Sequence, residues 1–185
     1  DTLVSWVVAN TPYTEEMFRT VFDKMKPFAL VQLTSLMSLQ GETESYEEDF
    51  NQIALKNQIE VIGLETVTDQ MKIFDDLTKE EMTEMVMSSF RNPEEADSTL
   101  KLMQKTYNMQ DVHALYEMVH SEGGTFEEKE NEFLSDRNKN WTPKIINEMK
   151  KGQVFIAVGA AHLGGPEGVI QLLKNENLIL TPIRL

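Results

Sequence analysis

The stretch from Gln153 to Gly168 constrains the fold of this chain more than any other. The run QVFIAV leads into a turn made of Gly159, Ala160, Ala161 and His162, and Gly164-Gly165-Pro166 follows at once. This pattern predicts a buried strand over Gln153–Val158, a helix from the glycine turn through Lys174, and a last strand over Leu178–Ile183. Strand, helix and strand at this spacing make a βαβ unit, which favours parallel pairing in a buried sheet. A similar short β-rich run, IEVIGL, predicts another buried strand over Ile59–Leu64.

Elsewhere the apolar residues recur mostly at helical spacing. Thr14 is placed to cap a helix over Glu15–Met25, and Pro27 and Gly41 bracket a second over Phe28–Leu39. Tyr46–Asn57 follows, with Tyr46, Phe50, Ile53 and Ala54 expected to face inward. Helical spacing returns at Thr66–Leu77, and Thr78 with Glu81 makes a capping box for a helix to Phe90. Asn92-Pro93 ends it, and two more helices are expected over Pro93–Tyr107 and Gln110–His120, before a Gly123-Gly124 turn. Phe126–Trp141 is helical in pattern. Thr142-Pro143 has the form of an N-cap and first-turn proline for a further helix ending at Gly152. Leu3–Ala9 suits a strand or a short buried helix equally.

The expected fold is therefore α/β or α+β and rich in helix. A small, mostly parallel or mixed sheet is flanked by helices, with a helical insertion between the strand near 59–64 and the strand near 153–158. A chain of 185 residues is long enough for one domain with its own core, so 1–185 is taken as a single domain. Its start at Asp1, without an initiator Met or a signal peptide, leads us to expect truncation at the N-terminus.

Composition removes several functions. The net charge of −14, from 31 acidic and 17 basic side chains, would repel a phosphate backbone and argues against nucleic acid as a partner. The absence of cysteine rules out disulfides, thiolate zinc sites and a cysteine nucleophile. No apolar run approaches the roughly 20 residues of a spanning helix, so no transmembrane segment is expected.

Ligands of open α/β sheets bind beyond the carboxyl ends of strands, where loops converge and helix N-termini point inward. Glu65, directly after VIGL, and His162, in the turn after QVFIAV, occupy such positions. Small residues around His162 leave room beside its imidazole for a metal or substrate. Plainer roles exist for both: His162 hydrogen-bonding its own loop, and Glu65 stabilising the N-terminus of the next helix. His113, Glu117 and His120 share a helix face at i, i+4 and i+7, yet their surroundings suit an ordinary solvated face. The methionines are read as core filling.

Three ordered blocks carry a family resemblance: GLETVTDQMKIFDDL (Gly63 to Leu77), LSDRNKNW (Leu134 to Trp141) and VFIAVGAAHLGGPEG (Val154 to Gly168). Together they resemble the L-E-T-x-x-x-Q, R-N-x-x-W and G-x-x-H-L blocks of the TraB/GumN family, bacterial relatives of the TIKI metalloproteases. The resemblance implies an active site of two G-x-x-H motifs, a glutamate and an arginine around a divalent metal such as Mn, Co or Zn. On this chain the second motif is Gly159–His162, the glutamate is Glu65 and the arginine is Arg137. No first G-x-x-H exists here, since neither His113 nor His120 has a glycine three residues before it.

His162 and Glu65 are then the implied metal ligands, with Glu65 alternatively the base that deprotonates the attacking water. Arg137 would orient a substrate carboxylate or stabilise an oxyanion. Asn138 and Gly159 are assigned to the substrate side of the site, with Asn138 and Trp141 also fixing the helix that carries Arg137. Two functions follow as expectations. One is a metal-dependent, peptidase-like hydrolase of the bacterial cell envelope, acting on a peptide or small molecule. The other is a non-catalytic module that binds a peptide or interferes with signalling. An exposed sheet edge would also favour a homodimer.

Overall fold

The computed structural model describes residues 2–10, 13–22, 29, 44–91, 93–121, 129 and 131–183. The expected helix over Phe28–Leu39, the Gly123-Gly124 turn and the start of the Phe126 helix lie outside the described residues. The helices are α1 (Thr2–Asn10), α2 (Glu15–Phe22), α3 (Tyr46–Asn57), α4 (Val67–Asp75), α5 (Lys79–Arg91), α6 (Pro93–Asn108), α7 (Val112–Ser121), α8 (Asp136–Met149) and α9 (Val169–Asn175). A π-helical turn, Asn131–Ser135, leads into α8, and a 3₁₀ turn, Ala160–His162, carries the histidine. The ambiguous segment after Asp1 is thus helical.

The caps form as their residue types dictate. The Thr78 amide donates to Glu81 Oε2 at 2.6 Å and the Glu81 amide to Thr78 Oγ1 at 3.1 Å, which satisfies two N-terminal donors of α5 reciprocally. Thr66 and Asp69 do the same for α4, at 3.0 and 3.1 Å. Ser45 Oγ accepts from the Glu48 amide at the start of α3.

The expected sheet does not form among the described residues. Among the described residues there is no strand, so the α/β or α+β assignment is corrected to a helical architecture. The three apolar runs, Ile59–Leu64, Gln153–Val158 and Leu178–Ile183, lie outside helices and form no strand among the described residues. Their large side chains face solvent, with Ile62 54%, Phe155 77% and Ile179 96% exposed. A β-rich sequence states only what a residue tolerates, whereas a strand also needs a neighbouring chain to take its N–H and C=O groups. That second requirement is not written in a local pattern.

Contacts divide the chain into two compact units. The first comprises Asp1–Gln70 and Asp76–Arg91. In it α1 packs on α2 and α5, and Val7, Phe18, Ala54 and Met82 are buried. Of the four α3 residues expected to face inward, Ala54 is buried and Phe50 half-buried, while Tyr46 and Ile53 are exposed.

The second unit comprises Met71–Asp75 and Asn92–Leu185. Its core joins Leu115, Phe133, Leu134, Trp141, Ile145, Val169 and Leu173, with Phe74 tilted against Phe133 at 5.4 Å between ring centroids. Each such side chain contributes about 1.5–3 kcal/mol by leaving water. Here α8 corrects the sequence reading: Thr142-Pro143 does not start a helix but lies inside one. An interior proline costs about 3 kcal/mol through a lost hydrogen bond and a steric clash. Asn138, Trp141, Thr142 and Ile145, spaced i, i+3, i+4 and i+7, are all buried, and this one continuous stripe offsets that cost.

Candidate functional site

The turn holding His162 follows from its glycines. Gly165 sits at φ +82°, a conformation that L side chains rarely adopt, and a Cβ there would run into the Tyr116 ring of α7. A Cβ on Gly164 would meet the Val112 carbonyl oxygen, also on α7. Side-chain-free backbone therefore lets the turn press directly against that helix. Gly168 then caps α9, its carbonyl accepting from the Leu172 amide at 2.9 Å.

His162 is 7% exposed and held on three sides. Its amide donates to the Gly159 carbonyl at 3.0 Å, closing the 3₁₀ turn. Its Nδ1 lies 2.8 Å from Asn138 Oδ1. Its ring packs against Trp141, with centroids 4.5 Å apart and planes at 45°. Asn138, itself 2% exposed, also donates from Nδ2 to the carbonyls of Glu167 at 2.9 Å and His162 at 3.3 Å. One buried amide on α8 thereby closes three hydrogen bonds to a loop 24 and 29 residues away in sequence.

Arg137 is half-buried at the start of α8. Its Nη1 donates to the Phe133 carbonyl in the π-helical turn at 2.9 Å, and its guanidinium lies 4.9 Å from the centroid of Trp141. Arg137, Trp141 and His162 therefore form a file of planar groups along one side of α8. Lys139 bonds Glu167 across the turn at 2.7 Å. This Lys139 bond outweighs the opposing effect of burial and, with a lesser contribution from Ser135, holds the Glu167 carboxyl below the usual carboxylate range.

Of the residues singled out from sequence, the second unit brings together Arg137, Asn138, Gly159 and His162. Gly159 is exposed, and a Cβ placed on it would lie 3.6 Å from His162 Cδ2. Glu65 belongs to the first unit, where it is half-buried in the bend before the Thr66–Asp69 cap. His120 Nδ1 lies 3.0 Å from the Tyr116 carbonyl and its ring is tilted against that of Tyr116 at 40°, while His113 and Glu117 are exposed. Among the described residues no three His, Asp or Glu side chains converge as metal ligands. His162 and His120 each have one ring nitrogen beside an oxygen acceptor, as ligating histidines ordinarily do, and of the two His162 is the buried one.

Tyr116, Lys139 and Glu167 were not foreseen. The Asn138 contacts had a readable sign, the spacing of Asn138, Trp141, Thr142 and Ile145, whereas nothing local marks Tyr116 as the seat of a glycine turn.

The model of the TraB/PrgY/gumN family matches residues 10–182, and the chain belongs to that family. No curated protein and no solved structure matches it. No helix among the described residues is long and apolar enough to cross a membrane.

Proposed function

We propose that this protein is a metal-dependent, peptidase-like hydrolase in which His162 supplies an imidazole nitrogen to a divalent ion. The observation that carries this reading is the burial of His162 with one ring nitrogen already engaged by Asn138 Oδ1. An exposed, loop-bound histidine would have no need of a buried amide to aim it. The metal, Mn, Co or Zn, would polarise a scissile carbonyl and activate water at neutral pH.

This chain's own residues supply binding and orientation. Arg137, fixed by the Phe133 carbonyl and the Trp141 face, presents a planar donor fork suited to a carboxylate or a developing oxyanion. The compartment that goes with this reading is the bacterial cell envelope.

The protein incubated with Mn, Co or Zn and a peptide library should yield products, and cleavage should disappear in His162→Ala and on chelation. Cleavage of equal rate in His162→Ala would remove His162 from the site. Peptide binding without products and without dependence on added metal would favour a non-catalytic module.

A further inference from the structure

We infer that Asn138 is a positioning residue that fixes His162 as the Nδ1–H tautomer, so that Nε2 is the nitrogen carrying the lone pair. The orientation of the Asn138 amide settles the proton. Its Nδ2 sits within 2.9 Å of the Glu167 carbonyl and 3.3 Å of the His162 carbonyl. Carbonyl oxygens only accept, so the amide NH₂ must lie there; a flipped amide would set its own oxygen against two others. Asn138 Oδ1 is thereby turned to His162 Nδ1 at 2.8 Å, and an amide oxygen also only accepts. The hydrogen between them belongs to Nδ1.

Two consequences follow. First, the three side-chain hydrogen bonds of Asn138 all go to the histidine loop, which moves this residue from the substrate side of the site to its supporting frame. Second, the Cδ2 edge of the ring, which adjoins Nε2, is the part that a Cβ on Gly159 would meet, at 3.6 Å. Gly159→Leu would extend a side chain along that edge, whereas Gly159→Ala adds only a methyl at van der Waals distance. The use of Nε2 as a metal ligand rests on the hydrolase reading; the tautomer rests on the hydrogen bonds alone.

The test is ¹⁵N-labelled histidine in the full chain, metal-free, with two-bond ¹H–¹⁵N correlation spectra at a pH where His162 is neutral. The expected wild-type result is a pyrrole-type Nδ1 and a pyridine-type Nε2. Asn138→Leu, which removes the acceptor at Nδ1, should shift the population toward Nε2–H. Zn²⁺ titrated into Asn138→Leu should bind about 10–100-fold more weakly than into wild type. Signals of His113 and His120 report whether each variant is folded.

An Nε2–H wild type would overturn the inference, and so would a folded Asn138→Leu that retains the Nδ1–H form. If Asn138→Leu does not fold, the wild type decides: Nδ1–H supports the inference, and Nε2–H overturns it. A wild type that shows Nδ1–H but cleaves no peptide with any metal would count against the hydrolase and leave the positioning role intact.

Discussion

Ile59–Glu65 in the first unit and Gln153–His162 in the second share one sequence pattern, a β-rich apolar run ending near a titratable side chain, and they reach different ends. After Leu64 the chain bends through Glu65 into α4 under a local cap, with Ile59, Val61 and Ile62 exposed. After Val158 it enters a turn that α8 grips through Asn138 and Trp141 and that α7 seats through Tyr116. The apolar run therefore does not make the site. What makes it is a neighbouring helix whose buried polar group closes the hydrogen bonds of the turn.

That contrast breaks most easily in the packing beneath the turn. Ile145, 1% exposed on the α8 stripe, should lose about 2–5 kcal/mol on substitution by alanine, because a cavity remains where the side chain was. The corresponding change at Ile62, 54% exposed, should stay within about 0.5 kcal/mol. Urea denaturation of both variants gives the comparison, and equal losses would mean that Ile62 is as buried as Ile145.

A smaller effect is expected at the grip itself. Asn138→Ala removes the partner of two carbonyls and one ring nitrogen, and should cost about 1–3 kcal/mol by the same measurement. A loss near zero would mean that the turn is held by its glycines and Trp141 alone. Gly164→Ala, which drives a Cβ against the Val112 carbonyl, should cost about 1–3 kcal/mol and disturb the His162 resonances, while those of α3 stay in place.

The smallest effect is electrostatic. Because the folded-state pKa of Glu167 is lowered, its ion pair with Lys139 contributes stability above the unfolded carboxylate value of 4.5, and that contribution fades as pH falls through the lower folded value. The carboxylate is 39% exposed, so screening limits the effect to about 0–1 kcal/mol. Glu167→Gln should flatten the acid side of the stability curve by that amount, and an unchanged slope would contradict it.

Much of this was legible in the sequence, and the reason differs from element to element. Helix caps are local, so Thr78 with Glu81 could be read directly and forms as expected. The His162 turn was legible because small residues around a histidine have few other uses. Pro143 misled, since a proline after threonine usually starts a helix; the buried stripe running through it to Ile145 carries the contrary information. The lack of a sheet among the described residues was illegible for a different reason, as pairing is a property of two segments and not of one. The family blocks named Arg137 and His162 together, and the structure adds that Trp141 stands between them.

The central claim is that His162, aimed from α8, is where a divalent ion meets this chain. The chain has three histidines, which makes the test internally controlled. Mn²⁺ added in small steps to the labelled protein should broaden the imidazole signals of His162 first, with those of His113 and His120 persisting. Broadening that begins at His113 or His120 while His162 stays sharp would contradict the account.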